Sequence, residues 1–307
     1  MKYLFGPVPS RRLGISLGVD LVPHKVCSLN CVYCEVGKTT NLTIERREYV
    51  PIDGVIEELN NYLSQNPELD FITFSGQGEP TLNSGLEKVI NFIKSNFPRY
   101  KVALITNGTL FWDKNIRNEV QKADVLLPSL DAVDKMTFLK LNRPNKNLQI
   151  DQIIEGLITL RKEFKGKIYL EIFFVPGLND TESELNLLKS TTQKIEPDIM
   201  QLNTLDRPGT ENWVKPLPRE RLEQIVKFFQ PLPVEIISNP KARKQIQSFN
   251  QNISDQILET IKRRPVTDKD LSHILNLHLN ELNKYLSELI DDDKIESIEL
   301  DRGLFFK

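Results

Sequence analysis

Short apolar runs alternate with longer amphipathic stretches along the chain up to about residue 237. The apolar runs are rich in β-branched and aromatic residues and are bounded by Gly, Pro, Asn or Asp, which is typical of buried strands. The predicted strands cover residues 16–22, 70–74, 101–107, 124–130, 167–175 and 198–204, with a further short strand at 234–237.

Between these strands, apolar residues recur every three or four positions, which predicts amphipathic helices. The predicted helices begin after Pro51 and then cover residues 83–96, 113–121, 149–164, 181–195 and 218–229. Strands that alternate with helices indicate a parallel sheet with right-handed crossovers. Six such strands form either a doubly wound sheet or a partial (β/α) barrel, and periodicity alone does not separate the two.

The chain changes character after residue 237. Residues 238–252 are polar and are predicted to be a linker, and residues 253–307 contain three helical stretches followed by two strands. The second helix begins with a capping box of Thr267 and Asp270, and the two strands form a hairpin around Asp301-Arg302-Gly303. Three helices and a terminal hairpin resemble a winged helix-turn-helix domain. The sequence therefore predicts an α/β domain over 1–237, a linker, and a winged-helix-like domain over 253–307.

Composition and charge restrict location and partners. The hydrophobic content of 39% and the net charge of −2 are ordinary. No apolar run is long enough to cross a bilayer, and prolines and arginines interrupt the N-terminal apolar stretch, so we expect a cytoplasmic protein without a membrane partner. Residues 251–307 carry twelve acidic and eight basic residues, a net charge of −4. Phosphate contacts need a basic face, so this charge disfavours nucleic acid and favours docking of a protein or peptide, or dimerisation.

All three cysteines of the chain, Cys27, Cys31 and Cys34, lie in the segment P-H-K-V-C-S-L-N-C-V-Y-C at 23–34. Thiolates this close cannot share one face of a strand or helix, so the backbone must curl and direct the sulfurs at one centre. Soft thiolates select an iron–sulfur cluster, zinc or copper(I). With His24 the set would make a Cys3His zinc site. A disulfide framework is disfavoured by the odd number of cysteines and the absence of secretory features.

The spacing Cys-x3-Cys-x2-Cys, with Tyr33 before the last cysteine, resembles that of the radical S-adenosylmethionine (radical SAM) superfamily. A second segment, S-G-Q-G-E-P-T-L at 75–82, follows the second predicted strand. Its Gly78, Glu79 and Pro80 match the family's Gly-Gly-Glu-Pro segment, whereas Gln77 stands where a glycine is common. On its own a Glu-Pro pair would indicate only a loop turn. The resemblance favours the partial barrel of six strands over the doubly wound sheet.

The resemblance implies roles for particular residues. The three cysteines would hold one [4Fe–4S] cluster, and S-adenosylmethionine would chelate the fourth iron through its amino and carboxylate groups. Glu79 would face the methionyl amine, and Tyr33 would lie beside the adenine. The remaining implied cofactor residues follow strand ends, where parallel α/β proteins carry their chemistry: Asn107, Ser129 and Asp131 (the last two at the ribose), and Val175 and Asn203 at the adenine pocket. The alternatives are that Asp131 caps a helix at 132–139 and that the others only form loops.

Two further segments, G-P-V-P-S-R-R-L-G near the N-terminus and L-N-T-L-D-R-P-G at 202–209, resemble a subgroup loosely related to the wybutosine-synthesising tRNA enzymes. Those enzymes carry additional cysteines for a second cluster, and this chain has none, so it can hold one cluster only. Guanidinium groups grip carboxylate and phosphate bidentately. Four arginines are therefore candidates to hold an anionic substrate, with ion pairing as the alternative: Arg11, Arg12, Arg143 and Arg207.

The resemblance implies an enzyme in which a reduced cluster passes an electron to S-adenosylmethionine. This reaction releases methionine and a 5′-deoxyadenosyl radical, which abstracts hydrogen from a substrate. A ferredoxin or flavodoxin would supply the electron. The substrate is a small molecule or nucleotide, a tRNA base, or a peptide or protein docked through residues 253–307. A zinc-binding regulatory protein with a winged-helix reader is the alternative from a different class.

Overall fold

The structure is a computed structural model that describes residues 2–10, 12–23, 25–205, 209–237, 253–275, 282, 285–286, 289–290, 292–300 and 303–307. Its strands are β1 (Leu4–Ser10), β2 (Gly14–Val19), β3 (Val26–Cys27), β4 (Asn41–Leu42), β5 (Phe71–Phe74), β6 (Lys101–Thr106), β7 (Val125–Pro128), β8 (Lys167–Phe174), β9 (Ile199–Thr204), β10 (Val234–Ile236), β11 (Val266–Thr267), β12 (Ser297–Leu300) and β13 (Gly303–Phe306). Its helices are α1 (Ile52–Leu63), α2 (Leu86–Asn96), α3 (Lys114–Glu119), α4 (Lys135–Leu141), α5 (Ile150–Glu163), α6 (Glu182–Ile195), α7 (Arg219–Phe229), α8 (Ile253–Arg263) and α9 (Asp268–Leu275).

The main sheet has eight strands in the order β1-β2-β5-β6-β7-β8-β9-β10. Every neighbouring pair from β2 to β10 is parallel, and only β1 runs antiparallel to its neighbour β2. The predicted α/β class with a parallel sheet is therefore confirmed. Strands β1 and β10 lie at opposite ends of this order, so within the described part of the chain the sheet is open, as in a partial barrel.

The sequence analysis missed strand β1, which contains Pro7 and Pro9. Proline lacks the N–H that a ladder needs, so a proline-containing run is usually dismissed as a strand. An edge strand tolerates proline, however, and β1 is an edge strand. Its pairing also shifts register between Phe5 and Val8.

The amphipathic faces pack as the periodicity predicts. Leu86, Val89 and Ile90 of α2 are all buried in the main core. On β7, Leu126 belongs to that core, whereas its neighbours Val125 and Leu127 belong to a second apolar cluster on the other face. Both faces of the sheet are thus covered, which is typical of a parallel sheet between helices and a barrel interior.

The C-terminal unit, residues 253–307, has its own apolar cluster around Ile257, Leu271 and Phe306. Its three strands form a sheet in the order β11-β13-β12, and β12 and β13 are antiparallel, which confirms the predicted hairpin. The capping box is also confirmed, since the N–H of Asp270 donates to Thr267 Oγ1 (3.0 Å).

The predicted linker 238–252 and most of the third C-terminal helix lie outside the described residues. The winged-helix assignment and the domain boundaries therefore stay predictions. Among the helices that are described, none combines the length and apolar character needed to span a membrane.

Candidate functional site

The carboxyl ends of the parallel strands meet at one edge of the sheet, and the predicted site residues lie there. The cysteine segment follows β2, and the loop that carries Glu79 follows β5. The other predicted cofactor residues come in strand order: Asn107 after β6, Ser129 and Asp131 after β7, Val175 after β8, and Asn203 near the end of β9.

The cysteine segment is curled. Cys27 lies in β3, which pairs in parallel with β4. The N–H of Cys34 donates to the carbonyl of Cys31 (3.2 Å), which turns the chain between the second and third cysteines. All three thiols are free and half-buried. The backbone bends as the spacing predicts.

Each cysteine sulfur is contacted by one side-chain nitrogen. The three pairs are Lys25 Nζ with Cys34 Sγ (3.0 Å), Asn142 Nδ2 with Cys31 Sγ (3.4 Å) and Asn107 Nδ2 with Cys27 Sγ (3.5 Å). N–H groups directed at sulfur stabilise the thiolate, and in iron–sulfur proteins they tune the potential of the cluster. The sequence analysis did not single out Lys25 or Asn142 as members of the site.

Burial is the largest influence on the protonation of Cys27 and Cys31. It raises the pKa of Cys27 to about 11, and the charge of Glu79 adds to the effect while Lys25 opposes it. Burial raises the pKa of Cys31 well above its usual range, with the charge of Asp131 adding to the effect. Without metal, Cys27 and Cys31 are therefore neutral thiols, and each must lose its proton before it can bind a metal. Burial works to lower the pKa of Lys25, but the charges that Cys34 and Cys27 carry as thiolates outweigh it, so the pKa of Lys25 is raised when these sulfurs are deprotonated.

The donor set suits an iron–sulfur cluster. It consists of soft sulfur ligands, and beside Cys31 lies Asn142 Oδ1, a buried oxygen without a hydrogen-bond partner in the described protein. Within the same part of the chain, no three His, Cys, Asp or Glu side chains have the geometry of a single-ion site. A zinc ion holds its sulfur ligands about 4 Å apart, whereas a four-iron cluster holds them farther apart. The lack of a single-ion site among the described residues is therefore compatible with a cluster. His24, the fourth ligand of the zinc alternative, lies outside the described residues.

Glu79 is 2% exposed and receives four hydrogen bonds. Its Oε1 accepts from the N–H and hydroxyl of Thr81 (3.0 and 2.6 Å) and from the hydroxyl of Thr106 (2.6 Å), and its Oε2 accepts from the N–H of Asn107 (2.7 Å). Burial raises the pKa of Glu79 and these hydrogen bonds oppose the increase. The carboxylate thus ties the end of β5 to the end of β6 beside Cys27.

The backbone before Glu79 lies directly against the cysteine segment. The N–H of Glu79 donates to the carbonyl of Val26 (3.0 Å), and the carbonyl of Gln77 accepts from the N–H of Lys25 (2.7 Å). A Cβ atom at Gly78 would overlap the carbonyl oxygen of Val26 and lie 2.7 Å from Val22 Cγ2. This close approach is the physical reason for glycine at position 78.

Asp131 lies inside the protein, where it binds protein groups. Its carboxylate accepts from the hydroxyl of Tyr33, from Asn142 Nδ2 (2.8 Å) and from the N–H of Phe173 (2.8 Å). The Tyr33 ring stacks on Phe173 with centroids 3.9 Å apart and planes at 9°. Asn142 therefore bridges Cys31 and Asp131. The sequence carried no signal for this role, because Asn142 is 111 residues from Cys31.

The alternative role of Asp131 as a helix cap is wrong. The helix in question is α4, which begins at Lys135 rather than at residue 132, and its N-cap is Asp134. The Asp134 side chain accepts from the N–H of Thr137 (2.8 Å). Asp131 lies three residues before the N-cap, too early to reach the free N–H groups of this helix.

We expect the titration of Asp131 to reduce stability as the pH rises. Burial raises its pKa from 3.8 to about 6, against the hydrogen bonds from Tyr33, Phe173 and Asn142. A raised pKa in the folded state means a stabilising contribution that is present below pH 3.8 and lost as the pH rises through about 6. The free energy of unfolding of the wild type minus that of Asp131→Asn should therefore fall by up to about 3 kcal/mol from pH 4 to pH 7.5.

Urea unfolding at a series of pH values measures this difference. Asp134→Asn is the matched control, because the hydrogen bond from Thr137 lowers the pKa of Asp134. The corresponding difference for the control should stay level or increase with pH. A difference for Asp131→Asn that increases with pH would mean that the three hydrogen bonds, and not burial, dominate.

A buried acid that the sequence analysis missed lies on β8. Glu171 forms an ion pair with Arg12 in which the two side chains are 9% and 13% exposed, and it accepts from Asn203 Nδ2 (2.9 Å). The sequence signal for this residue was a glutamate inside the apolar run K-I-Y-L-E-I-F-F. Strand β8 therefore brings one negative charge, matched by Arg12, into the interior.

Val175, a predicted cofactor residue, directly follows the same strand. It is 1% exposed, and its N–H donates to Asn179 Oδ1 (2.8 Å).

The candidate substrate arginines that the structure describes are both in ion pairs. Arg12 pairs with Glu171, and Arg143 pairs with Glu211 at a more exposed position. Arg11 and Arg207 lie outside the described residues. Ion pairing, the alternative stated above, is thus what the structure shows for Arg12 and Arg143, and anion binding stays a prediction.

Comparison with known proteins identifies relatives of the whole chain. A family model described as the radical SAM superfamily matches residues 21–187. The chain is 37% identical to a protein named GTPase Obg of Brachyspira hyodysenteriae, over 94% of this chain but only 42% of that protein. It is 31% identical to a UPF0026 protein of Methanocaldococcus jannaschii, over 100% of this chain and 96% of that protein. The chain thus spans less than half of the first relative and nearly all of the second.

Solved structures share the fold at low sequence identity. A radical SAM methyltransferase from Sphaerobacter thermophilus has a TM-score of 0.56 and 18% identity, covering 72% of this chain and 65% of that one. Streptococcus suis SuiB bound to the precursor peptide SuiA has a TM-score of 0.56 and 14% identity, covering 72% and 48%. TYW1 with a lysine-pyruvate adduct has a TM-score of 0.50 and 18% identity, covering 73% and 75%.

Proposed function

Because the chain belongs to the radical SAM superfamily, we propose that it is an enzyme that cleaves S-adenosylmethionine reductively at one [4Fe–4S] cluster held by Cys27, Cys31 and Cys34. The cofactors of the family are this cluster and S-adenosylmethionine. The chemistry that they supply when bound is one-electron reduction of the sulfonium, which yields methionine and a 5′-deoxyadenosyl radical able to take hydrogen from a substrate. The proposal rests above all on three free thiols at the carboxyl edge of the sheet, each in contact with one side-chain nitrogen.

The chain's own residues supply binding and charge balance. Lys25 brings one positive charge to the three sulfurs and so offsets part of their negative charge. Glu79 Oε2 accepts from one donor among the described residues, the N–H of Asn107. We assign the remaining lone pair of Oε2 to the methionyl ammonium, as a charge-assisted hydrogen bond.

The ribose and adenine contacts divide between two sets of residues. Asp131 already accepts three hydrogen bonds from protein groups, so we assign the ribose hydroxyls to Ser129, which is half-buried at the same strand end. Asp131 instead fixes the ring of Tyr33 through its hydroxyl. The adenine is assigned to the neighbourhood of this ring, with Val175 and Asn203 behind it.

The substrate is assigned from charge. Residues 251–307 have a net charge of −4, which repels phosphates and favours a peptide or protein docked by a winged-helix-like unit. The likeness of the fold to SuiB, whose structure holds a precursor peptide, supports this choice. The resemblance of the segment at 202–209 to the wybutosine-synthesising tRNA enzymes supports the alternative of a tRNA base. RNA binding would weaken steeply with salt. Peptide docking by an acidic face would require basic residues in the peptide.

The proposed enzyme needs an electron donor, and a ferredoxin or flavodoxin fits a cluster that must be kept reduced. The cytoplasm is the compartment that suits such a cluster. The chain lacks any cysteine beyond the three in the segment, so a single cluster accounts for all of its iron–sulfur chemistry.

Anaerobic reconstitution tests the function. We expect about four irons and four sulfides per chain and a brown protein, against one zinc and no colour for the regulatory alternative. With dithionite and S-adenosylmethionine the reconstituted protein should then form 5′-deoxyadenosine and methionine in equal amounts. Protein without the cluster is the control. A brown, four-iron protein that forms no 5′-deoxyadenosine above this control would contradict the proposal.

A further inference from the structure

One arginine of the C-terminal unit is buried against the α/β domain. Arg263, the last residue of α8, has a side chain that is 11% exposed. Its guanidinium lies 4.7 Å from the centre of the Phe5 ring, and Nη2 donates to the carbonyl of Leu4 (3.4 Å). Its Nη1 lies 3.5 Å from Asp20 Oδ2. This arginine therefore joins the C-terminal unit to the edge strand β1 and to the end of β2.

Asp20 has a second contact, with the loop after β5. The N–H of Gln77 donates to both oxygens of its carboxylate (3.4 and 3.3 Å). Gly76 leaves room for the carboxylate, because a Cβ atom there would lie 2.7 Å from Asp20 Oδ2. The side chain of Asp20 is 9% exposed. One buried carboxylate thus contacts the C-terminal unit on one side and the loop that leads to Glu79 on the other.

The cysteine segment holds the backbone of the same residue, Gln77, through its carbonyl. The carbonyl of Gln77 accepts from the N–H of Lys25 (2.7 Å), and the Lys25 side chain contacts Cys34 Sγ (3.0 Å). Two residues further on, the N–H of Glu79 donates to the carbonyl of Val26 (3.0 Å). A continuous series of contacts therefore runs from Arg263 through Asp20 and Gln77 to the thiols and to Glu79.

We infer that Arg263 and Asp20 are positioning residues through which the C-terminal unit holds the loop 75–79 in the form that binds S-adenosylmethionine. A buried carboxylate that loses a paired cation is destabilised and draws in water or a proton. Without Arg263, Asp20 would therefore loosen its hold on the N–H of Gln77. The part of the inference that concerns S-adenosylmethionine rests on the proposed function.

The inference gives the C-terminal unit a role beyond docking. A partner that draws α8 away from β1 would break the contact with Asp20 and lower the affinity for S-adenosylmethionine. Linkage is reciprocal, so S-adenosylmethionine would in turn strengthen the attachment of the C-terminal unit to the α/β domain. Substrate docking and cofactor binding would then depend on each other although the two sites share no residue.

Hydrogen exchange of the full chain without any cofactor tests the contact itself. In Arg263→Gln we expect amides of residues 75–79 to exchange at least about fivefold faster than in the wild type, because their opening becomes easier. Residues 101–106 of β6 should be unchanged. Arg161→Gln is the control, since it breaks a half-buried ion pair with Asp198 (22% and 23% exposed) that has no contact with the loop.

Asp20→Asn provides a second variant that keeps the shape of the side chain. It should also speed exchange at 75–79, and the double variant with Arg263→Gln should exchange no faster than Asp20→Asn alone, because both act through one carboxylate. Unchanged exchange at 75–79 in both single variants, or effects that simply add, would overturn the inference.

Equilibrium binding of S-adenosylmethionine to the reconstituted protein tests the consequence. Arg263→Gln should raise the dissociation constant at least about fivefold while the iron content stays at the wild-type value. Arg263→Lys keeps the positive charge but lacks the planar, forked guanidinium, so its dissociation constant should lie between those of the wild type and Arg263→Gln. If Arg263→Gln binds as tightly as the wild type, the inference is wrong and the proposed function stands. If the wild type itself does not bind, the proposed function fails, and hydrogen exchange still decides whether the contact exists.

Discussion

Replacing any one of Cys27, Cys31 and Cys34 with serine is expected to abolish 5′-deoxyadenosine formation and to lower the iron content from about four atoms per chain to below about one. A hydroxyl is a hard, weakly acidic ligand and does not replace a thiolate on iron. The chain contains no fourth cysteine that could take over. Iron and sulfide analysis after anaerobic reconstitution measures the loss directly, before any assay of activity.

The three single variants and the triple variant should be equally inactive, because ligands of one cluster act as a unit. Lys38→Gln is a suitable control, since Lys38 is exposed and lies four residues after Cys34, just beyond the cysteine segment. It should keep the iron content and the activity of the wild type. A serine variant that retains four irons and forms 5′-deoxyadenosine would show that the thiols do not hold the cluster.

The alternation of strands and helices was predictable because most of the parallel strands are buried on both faces and so form short, nearly continuous apolar runs. Leu126 packs in one apolar cluster and Leu127 in the other, so neither of these neighbouring positions of β7 is polar and the apolar run is continuous. The edge strand β1 was not predicted because it contains Pro7 and Pro9, which are unusual in strands. They are tolerated here because β1 lies at the edge of the sheet.

The candidate site was predictable where its residues are neighbours in sequence. Three cysteines within eight residues, and a Glu-Pro pair directly after a strand, form motifs that can be recognised from their spacing in the sequence. The asparagines that contact the sulfurs form no such motif, because Asn107 lies 80 residues from Cys27 and Asn142 lies 111 residues from Cys31. Only the sheet order brings them to the cysteine segment.

Asp131 illustrates how a residue can be placed correctly while the protein groups that it contacts stay unpredicted. Its position after β7 was predicted, but its role depends on Phe173, which lies 42 residues later, and on the Tyr33 hydroxyl. Likewise, no local pattern distinguishes Arg263 from the exposed arginines of an ordinary helix end. Its burial arises because the end of α8 lies against Phe5 of β1 and Asp20 at the end of β2.

Gly78→Ala is expected to weaken binding of S-adenosylmethionine by more than about tenfold and to lower the free energy of unfolding by about 1–3 kcal/mol. The added methyl group would overlap the carbonyl oxygen of Val26 and press on Val22 Cγ2 at 2.7 Å. A backbone carbonyl cannot rotate aside as a side chain can. The loop must therefore move off the cysteine segment, and the hydrogen bond from the N–H of Glu79 to Val26 breaks.

Gly54→Ala separates this effect from a general cost of replacing glycine. In helix α1 the new Cβ would lie 3.1 Å from Tyr3 Cε2, the edge of a side chain that can shift. Alanine favours a helix interior over glycine by about 1 kcal/mol, so this variant should keep or gain stability and bind S-adenosylmethionine like the wild type. Equilibrium binding and urea unfolding of the two variants decide the matter. If Gly78→Ala binds as tightly as Gly54→Ala, then the close approach of residues 78 and 26 is not what shapes the cofactor site, and the assignment of Glu79 to the methionyl ammonium loses its structural basis.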